Sequence, residues 1–273
     1  MESFFYLFVA GILGGFISGL VGIGGGVVYV FVIPLALKYI GVPPVEIPQY
    51  TIANSILAIF FSSLISNFLH IRAHNFYLKE VLIIGLLGIV FSLALLRFFV
   101  NTPYYSIYTF NIILIVLMIY MLISTLISAK KVYLTPLETL KRWKLAGVGA
   151  AGGAISALSG LGGGVVIIPL LNSMMRVDIK KASSISLGVI TIISFFMTLF
   201  NLLAEPRVIF RYDYAIGYIV GPVCIALVLG GFIGSPLGVK VSERIPSSNI
   251  SYIYAIFLSI VITKKVYELI QLI

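Results

Sequence analysis

Residues 11–28 read GILGGFISGLVGIGGGVV, and residues 149–166 read GAAGGAISALSGLGGGVV, identical at 12 of 18 places. Each copy is an apolar helix-forming run that ends in clustered glycines: Gly22, Gly24, Gly25 and Gly26 in the first, Gly160, Gly162, Gly163 and Gly164 in the second. A glycine costs a helix interior about 1 kcal/mol relative to alanine. Four within five residues therefore mark a break, and the chain carries that break twice.

The composition places these breaks in a membrane. Of 273 residues, 60% are hydrophobic and only 10% charged, with a mean hydropathy of +1.15. Soluble domains carry roughly a quarter charged residues. Runs such as 81–99, 107–127 and 189–203 are apolar on every face. This excludes barrel strands, which alternate, and predicts helices crossing a hydrocarbon core of about 30 Å. The net charge of +9 does not imply nucleic acid, because Lys and Arg sit singly or in pairs at the ends of apolar runs, as membrane loops require. The sole cysteine, Cys224, lies in an apolar run and permits no disulfide within the chain. The N-terminus has no basic segment ahead of its apolar run and reads as a first membrane helix.

Ten helical pieces follow: 3–21, 25–40, 48–70, 77–100, 104–129, 143–159, 163–175, 181–203, 212–238 and 248–271. The polar stretch 129–144 separates five from five. The expected organisation is a membrane repeat over 1–129, a linker over 130–144 and a second membrane repeat over 145–273. An odd number of pieces per half turns the second copy upside down. That arrangement puts 12 of the 18 basic residues on one side of the membrane, so both termini are expected outside the cell membrane and the linker in the cytoplasm. The expected fold is an all-α integral membrane protein of two inverted repeats, each with a glycine-broken first helix forming either two spans or a re-entrant hairpin.

Backbone that leaves helical pairing at membrane depth must be buried in protein or face a watery cavity. The helix restarting at Val27 or Val165 aims unpaired N–H groups and a positive dipole end at that place, which favours an anion. A dinucleotide fingerprint does not fit, because Val27 and Val165 occupy its last glycine position and no soluble βαβ unit surrounds them. The leading glycines Gly11, Gly14, Gly15, Gly19, Gly149, Gly152 and Gly153 have the spacing of close helix packing instead.

The acids support an anionic or neutral substrate. All nine lie at or near predicted segment ends, whereas cation carriers use a carboxylate at depth. Hydroxyls and amides occupy the interior, and Asn54, Ser55, Ser184 and Ser186 are the side-chain donors expected at the site. Arg97 and Lys240 are expected to snorkel to the interface. His70 and His74 flank a membrane edge as loop histidines. No HExxH motif, facing Ser–Lys pair or paired membrane aspartates is present, so the chain is read as a transporter and not an enzyme, with no cofactor and no metal.

The duplicated glycine pattern, each copy followed by an apolar run ending in Pro34 or Pro169, resembles the sulfite exporter TauE/SafE family, also called the toluene sulfonate uptake permease family. So does the stretch 230–238, GGFIGSPLG, followed by Glu243-Arg244-Ile245-Pro246. The resemblance implies a permease for a small sulfur-containing oxyanion such as sulfite, a sulfonate or thiosulfate, coupled to a proton or other ion gradient. An anion channel and a non-transport accessory protein remain as alternatives, and a homodimer is compatible with either. The partners expected are thus the anion, the coupling ion and the lipid bilayer. The first half departs from the pattern: opposite GGFIGSPLG it keeps only Gly88, so the two halves are expected to pack differently.

Overall fold

The computed structural model describes residues 2–72, 75–128, 141–208 and 212–270. His74 and most of the 130–144 linker lie outside them. Among the described residues the chain forms ten α-helices: α1 Glu2–Val21, α2 Gly26–Tyr39, α3 Ile47–Arg72, α4 Leu78–Leu95, α5 Ile107–Ser128, α6 Arg142–Ser159, α7 Gly164–Pro169, α8 Ile179–Leu203, α9 Gly221–Arg244 and α10 Ser247–Ile270. The chain is an all-α integral membrane protein. Six helices are long and apolar enough to cross a membrane, and large apolar side chains such as Phe5, Leu86, Val90, Val116, Ile225 and Ile256 are exposed on the outer surface, where lipid would cover them.

Both glycine breaks fall where expected, and each joins a long helix to a short one. α1 has 20 residues, about 30 Å, whereas α2 has 14, about 21 Å. In the second half α7 is a helix of only six residues, and Pro169, which has no N–H to donate, is followed by a π turn over Leu170–Met174. The short helix folds back along the long one in each pair. A Cβ on Gly14 would meet the Tyr29 ring and one on Gly25 the Gly14 backbone, while Gly152 and Gly163 stand in the same relation in the second half.

The segment before α9 differs from expectation. The ninth piece was expected over 212–238, but a two-stranded hairpin, β1 Ala215–Ile216 and β2 Ile219–Val220, precedes α9. Pro222 in the first turn suits a helix start, so α9 begins at Gly221 and continues through Pro236 to Arg244.

The helices of the two halves interlock. α1 packs on α9 and α4 on α6, while α3 packs on α8 and α5 on α10. Exchanging the halves leaves this set of pairs unchanged. The closest seams are made by glycine. Along α1, Gly11, Gly15 and Gly19 abut the backbone of α9 at Leu227, Gly231 and Ser235. From α9, Gly230, Gly234 and Gly238 abut the carbonyls of Phe8, Ile12 and Phe16. The matching α4–α6 seam uses Gly88, Gly149 and Gly153. Small residues let membrane helices approach until backbone touches backbone, and the fuller glycine set on α9 makes its seam the more extensive, as its sequence suggested.

A side chain forced into the α1–α9 seam should separate these helices. Gly234→Leu is expected to lower the thermal unfolding midpoint in detergent sharply or to prevent recovery of monodisperse protein. Gly147→Ala, which meets nothing within 4 Å on an exposed face of α6, should leave the midpoint unchanged or raise it slightly.

Candidate functional site

The two breaks share one backbone conformation. Gly22, Gly24 and Gly25 have φ of 87°, 88° and 75°, and Gly160, Gly162 and Gly163 have 67°, 87° and 73°. Side chains rarely adopt these left-handed values, which explains why glycine fills three of the four cluster positions in each copy. The fourth has a different cause. A Cβ on Gly26 would lie 2.7 Å from the Leu161 Cα, and one on Gly164 would lie 2.9 Å from the Ile23 Cα. The breaks therefore cross against one another, each glycine making room for the other break's backbone. Ile59 of α3 and Ile190 of α8 pack over both Gly24 and Gly162.

The restarting helices leave their first amides unused. In α2 the earliest hydrogen bonds run from the Val28 and Tyr29 N–H groups to the Gly25 carbonyl, and in α7 from Val166 and Ile167 to Gly163. Among the described residues the N–H groups of Gly24, Gly25, Gly26 and Val27, and of Gly162, Gly163, Gly164 and Val165, have no hydrogen-bond acceptor. All eight residues are buried. Buried amides are nearly always paired, and these two sets of donors are left over by the bonding of both breaks.

The side chains expected at the site divide into two kinds. Ser186 and Ser55 stand at the breaks. The Ser186 Oγ is buried, has no partner among the described residues, and would lie 2.9 Å from a Cβ on Gly164. Ser55 donates to the Gly160 carbonyl at 2.7 Å, tying α3 to the break of the other half. Asn54 and Ser184 do not offer free hydrogens. The Asn54 amide donates to the carbonyls of Tyr50 (2.7 Å) and Tyr218 (3.0 Å), and its oxygen accepts from the Val220 N–H at 2.8 Å and from Cys224. It clamps α3 to the β-hairpin and α9. Ser184 donates to the Asn75 carbonyl beside the mouth of a cavity.

That cavity, about 310 Å³, leads from one face of the bundle to the breaks. Ile23 and Val165 line its inner end. Around its mouth are His70, Asn172, Lys180, Lys181 and Glu243, from α3, the π turn after α7, α8 and α9. Asp178 caps α8 there, accepting the N–H groups of Lys180 and Lys181. The two lysines are matched in number there by two acids, Asp178 and Glu243. Arg97 and Lys240 are exposed at the surface, as expected.

The opposite face is sealed. Glu46, Gln49 and Tyr50 at the start of α3, together with Tyr105 and Tyr218, are each no more than 1% exposed. Gln49 donates to the carbonyls of Val100 and Tyr105, Tyr105 donates to that of Leu158, and the Tyr50 and Tyr218 rings meet edge to face at 5.1 Å. Burial and the nearby Glu46 charge push the Tyr218 phenol up to about 12. Glu46 lies at a segment end, as its sequence position indicated, but its complete burial was not legible there.

A family model described as "Sulfite exporter TauE/SafE" matches residues 7–264. A protein of Methanocaldococcus jannaschii described as a "Probable membrane transporter protein" is 30% identical over 250 residues, which cover 89% of this chain and 88% of that one. A second, from Haemophilus influenzae and described in the same words, is 27% identical over 259 residues, covering 93% and 94%. No solved structure matches the chain.

Removing the Asn54 clamp should cost stability before it touches chemistry. Asn54→Ala strands the buried Val220 N–H and takes a donor from two carbonyls, at about 1–3 kcal/mol per unmet group. The thermal midpoint of the purified protein should fall by several degrees, and an unchanged midpoint would show the clamp to be idle.

Proposed function

The chain belongs to the sulfite exporter TauE/SafE family of membrane transporters, and we propose that it is a permease for a small sulfur-containing oxyanion such as sulfite, a sulfonate or thiosulfate. One observation carries this reading: in two breaks that cross against one another, the buried N–H groups of residues 24–27 and 162–165 have no acceptor among the described residues. Backbone amides at helix starts hold oxyanions without placing a fixed cation in the path. Ser186 adds a hydroxyl donor. Ser55 and Asn54 act as positioning residues through the Gly160 carbonyl and the hairpin.

The cavity on one face and the packed tyrosines on the other suit alternating access. In the proposed topology residues 1–129 and 145–273 are inverted repeats, both termini lie outside the cell membrane, and the linker and the cavity mouth face the cytoplasm. The lysines at the mouth accord with that orientation. The exchange of packed pairs between halves supplies the matching conformation, in which the cavity closes and the sealed face opens. Coupling to a proton or other ion gradient distinguishes this permease from a channel with the same site.

Reconstituted protein should take up labelled thiosulfate or a sulfonate but not a carboxylate control, at a rate that responds to an imposed pH gradient. Gly24→Ala and Gly162→Ala put a methyl group against the movable tips of Ile59 and Ile190 rather than against backbone. Each alanine keeps its N–H but disfavours the left-handed φ of 88° or 87°, so the amides should turn off the anion and uptake should fall about tenfold or more, the worth of one charge-assisted hydrogen bond. Uptake of sulfur oxyanions unchanged in both folded variants would remove the breaks from the substrate path.

A further inference from the structure

The sealed face holds a carboxylate in a setting built for an oxyanion. Glu46 ends the 3-10 turn Pro44–Glu46 just before α3 and is 0% exposed. Its Oε1 accepts the backbone N–H of Arg207 at 2.7 Å and of Val208 at 3.2 Å, and the Tyr218 hydroxyl lies 3.5 Å away. The Arg207 Nε is 3.6 Å from the same oxygen, close enough for an ion pair but too far for a hydrogen bond. Two successive amides, a guanidinium and a phenol thus converge on one point from the segment after α8 and from the hairpin.

Glu46 fills this place poorly. All its contacts fall on Oε1, and Oε2 is buried without a partner. On the other side, the Nε and Nη2 of Arg207 are buried with no hydrogen-bond acceptor among the described residues. An arginine paired with its intended carboxylate normally makes two parallel hydrogen bonds. Here a two-oxygen group on a short tether reaches the amides and leaves the Nε and Nη2 of Arg207 without a hydrogen bond. An anion with three oxygens can engage both at once: one oxygen on the Arg207 and Val208 amides, the others on Nε and Nη2.

We infer that the Arg207 and Val208 amides, the Arg207 guanidinium and the Tyr218 hydroxyl form a second binding site for a small oxyanion, and that the Glu46 carboxylate occupies it as a tethered stand-in while this face is sealed. Its place in the fold gives the site a use. Tyr218 accepts from Asn54 through its carbonyl, and the adjacent Ser55 holds the Gly160 carbonyl of the second break. An anion that displaces Glu46 releases the link between the start of α3 and the segment after α8 at the end of the path leading to the breaks. The site then serves as the anion's station on the face opposite the cavity. On the cavity face the residue just before α8 is Asp178, as Glu46 is just before α3, and it bonds its own helix instead of a facing loop. That face is open.

This use rests on the reading of the chain as an anion permease, whereas the existence of the site does not, and a binding stoichiometry separates the two. Equilibrium dialysis of 35S-thiosulfate against detergent-purified full-length protein should give one more bound anion per chain in Glu46→Ala than in the unaltered protein, and Arg207→Gln added to Glu46→Ala should remove it. Should Glu46→Ala fail to fold, Glu46→Gln serves: it keeps the shape but not the charge, and should gain the same extra anion at weaker affinity. The failure of the break site appears separately, as no thiosulfate bound by the unaltered protein, while Glu46→Ala still binds one. The proposal is overturned if folded Glu46→Gln or Glu46→Ala binds no additional thiosulfate at saturation, or if the additional anion survives Arg207→Gln.

Discussion

Lipid offers no hydrogen bonds, so every backbone group at membrane depth must find a partner inside the protein or in a ligand. Helices satisfy this requirement along nearly all of the chain. At the two glycine breaks they cannot, since the left-handed turns at Gly22, Gly24 and Gly25 and their counterparts interrupt the ladder in the middle of the bundle. The arrangement of the remaining helices follows from sheltering these interruptions. α3 and α8 cover them with Ile59 and Ile190, and the short helices α2 and α7 turn back from them. Eight amides nevertheless have no acceptor among the described residues, and an acceptor for them is what the proposed anion would supply.

Glycine performs two physically distinct tasks in the same repeated motif. In Gly11, Gly15 and Gly19 it removes a side chain so that α1 can lie on the backbone of α9. In Gly24, Gly25, Gly162 and Gly163 it permits a backbone angle, and in Gly26 and Gly164 it admits the facing break. The interlocking of halves follows from the first task, because the seams join α1 to α9 and α4 to α6. Neither half is a separate body, so a disturbance at one break reaches the other directly.

Much of this could be read from the chain alone, and for definite reasons. Apolar runs placed eight of the ten helices closely, and consecutive glycines located both breaks. The exceptions were α7, expected over 163–175 but giving way to a π turn at Leu170, and the start of α9, where the polar and aromatic residues 212–220 carry no helical period yet lack the alternation of a longer strand, so a two-residue hairpin left no trace. Side-chain roles were less legible. Asn54 and Ser186 look alike as polar groups at depth, but only the fold reveals that Asn54 has every hydrogen-bonding group engaged and Ser186 has none. Glu46 appeared to be an interfacial acid because its burial depends on Tyr218 and Arg207, more than 160 positions away.

The central claim concerns backbone amides, and amide resonances report on it without altering a residue. In protein labelled with 15N-glycine and held in detergent micelles, titration with a sulfonate should shift the resonances of Gly24, Gly25, Gly26, Gly162, Gly163 and Gly164 to saturation. Those of Gly11, Gly15 and Gly234 in the α1–α9 seam should stay in place. Saturable binding that left the six break glycines unmoved would contradict the account.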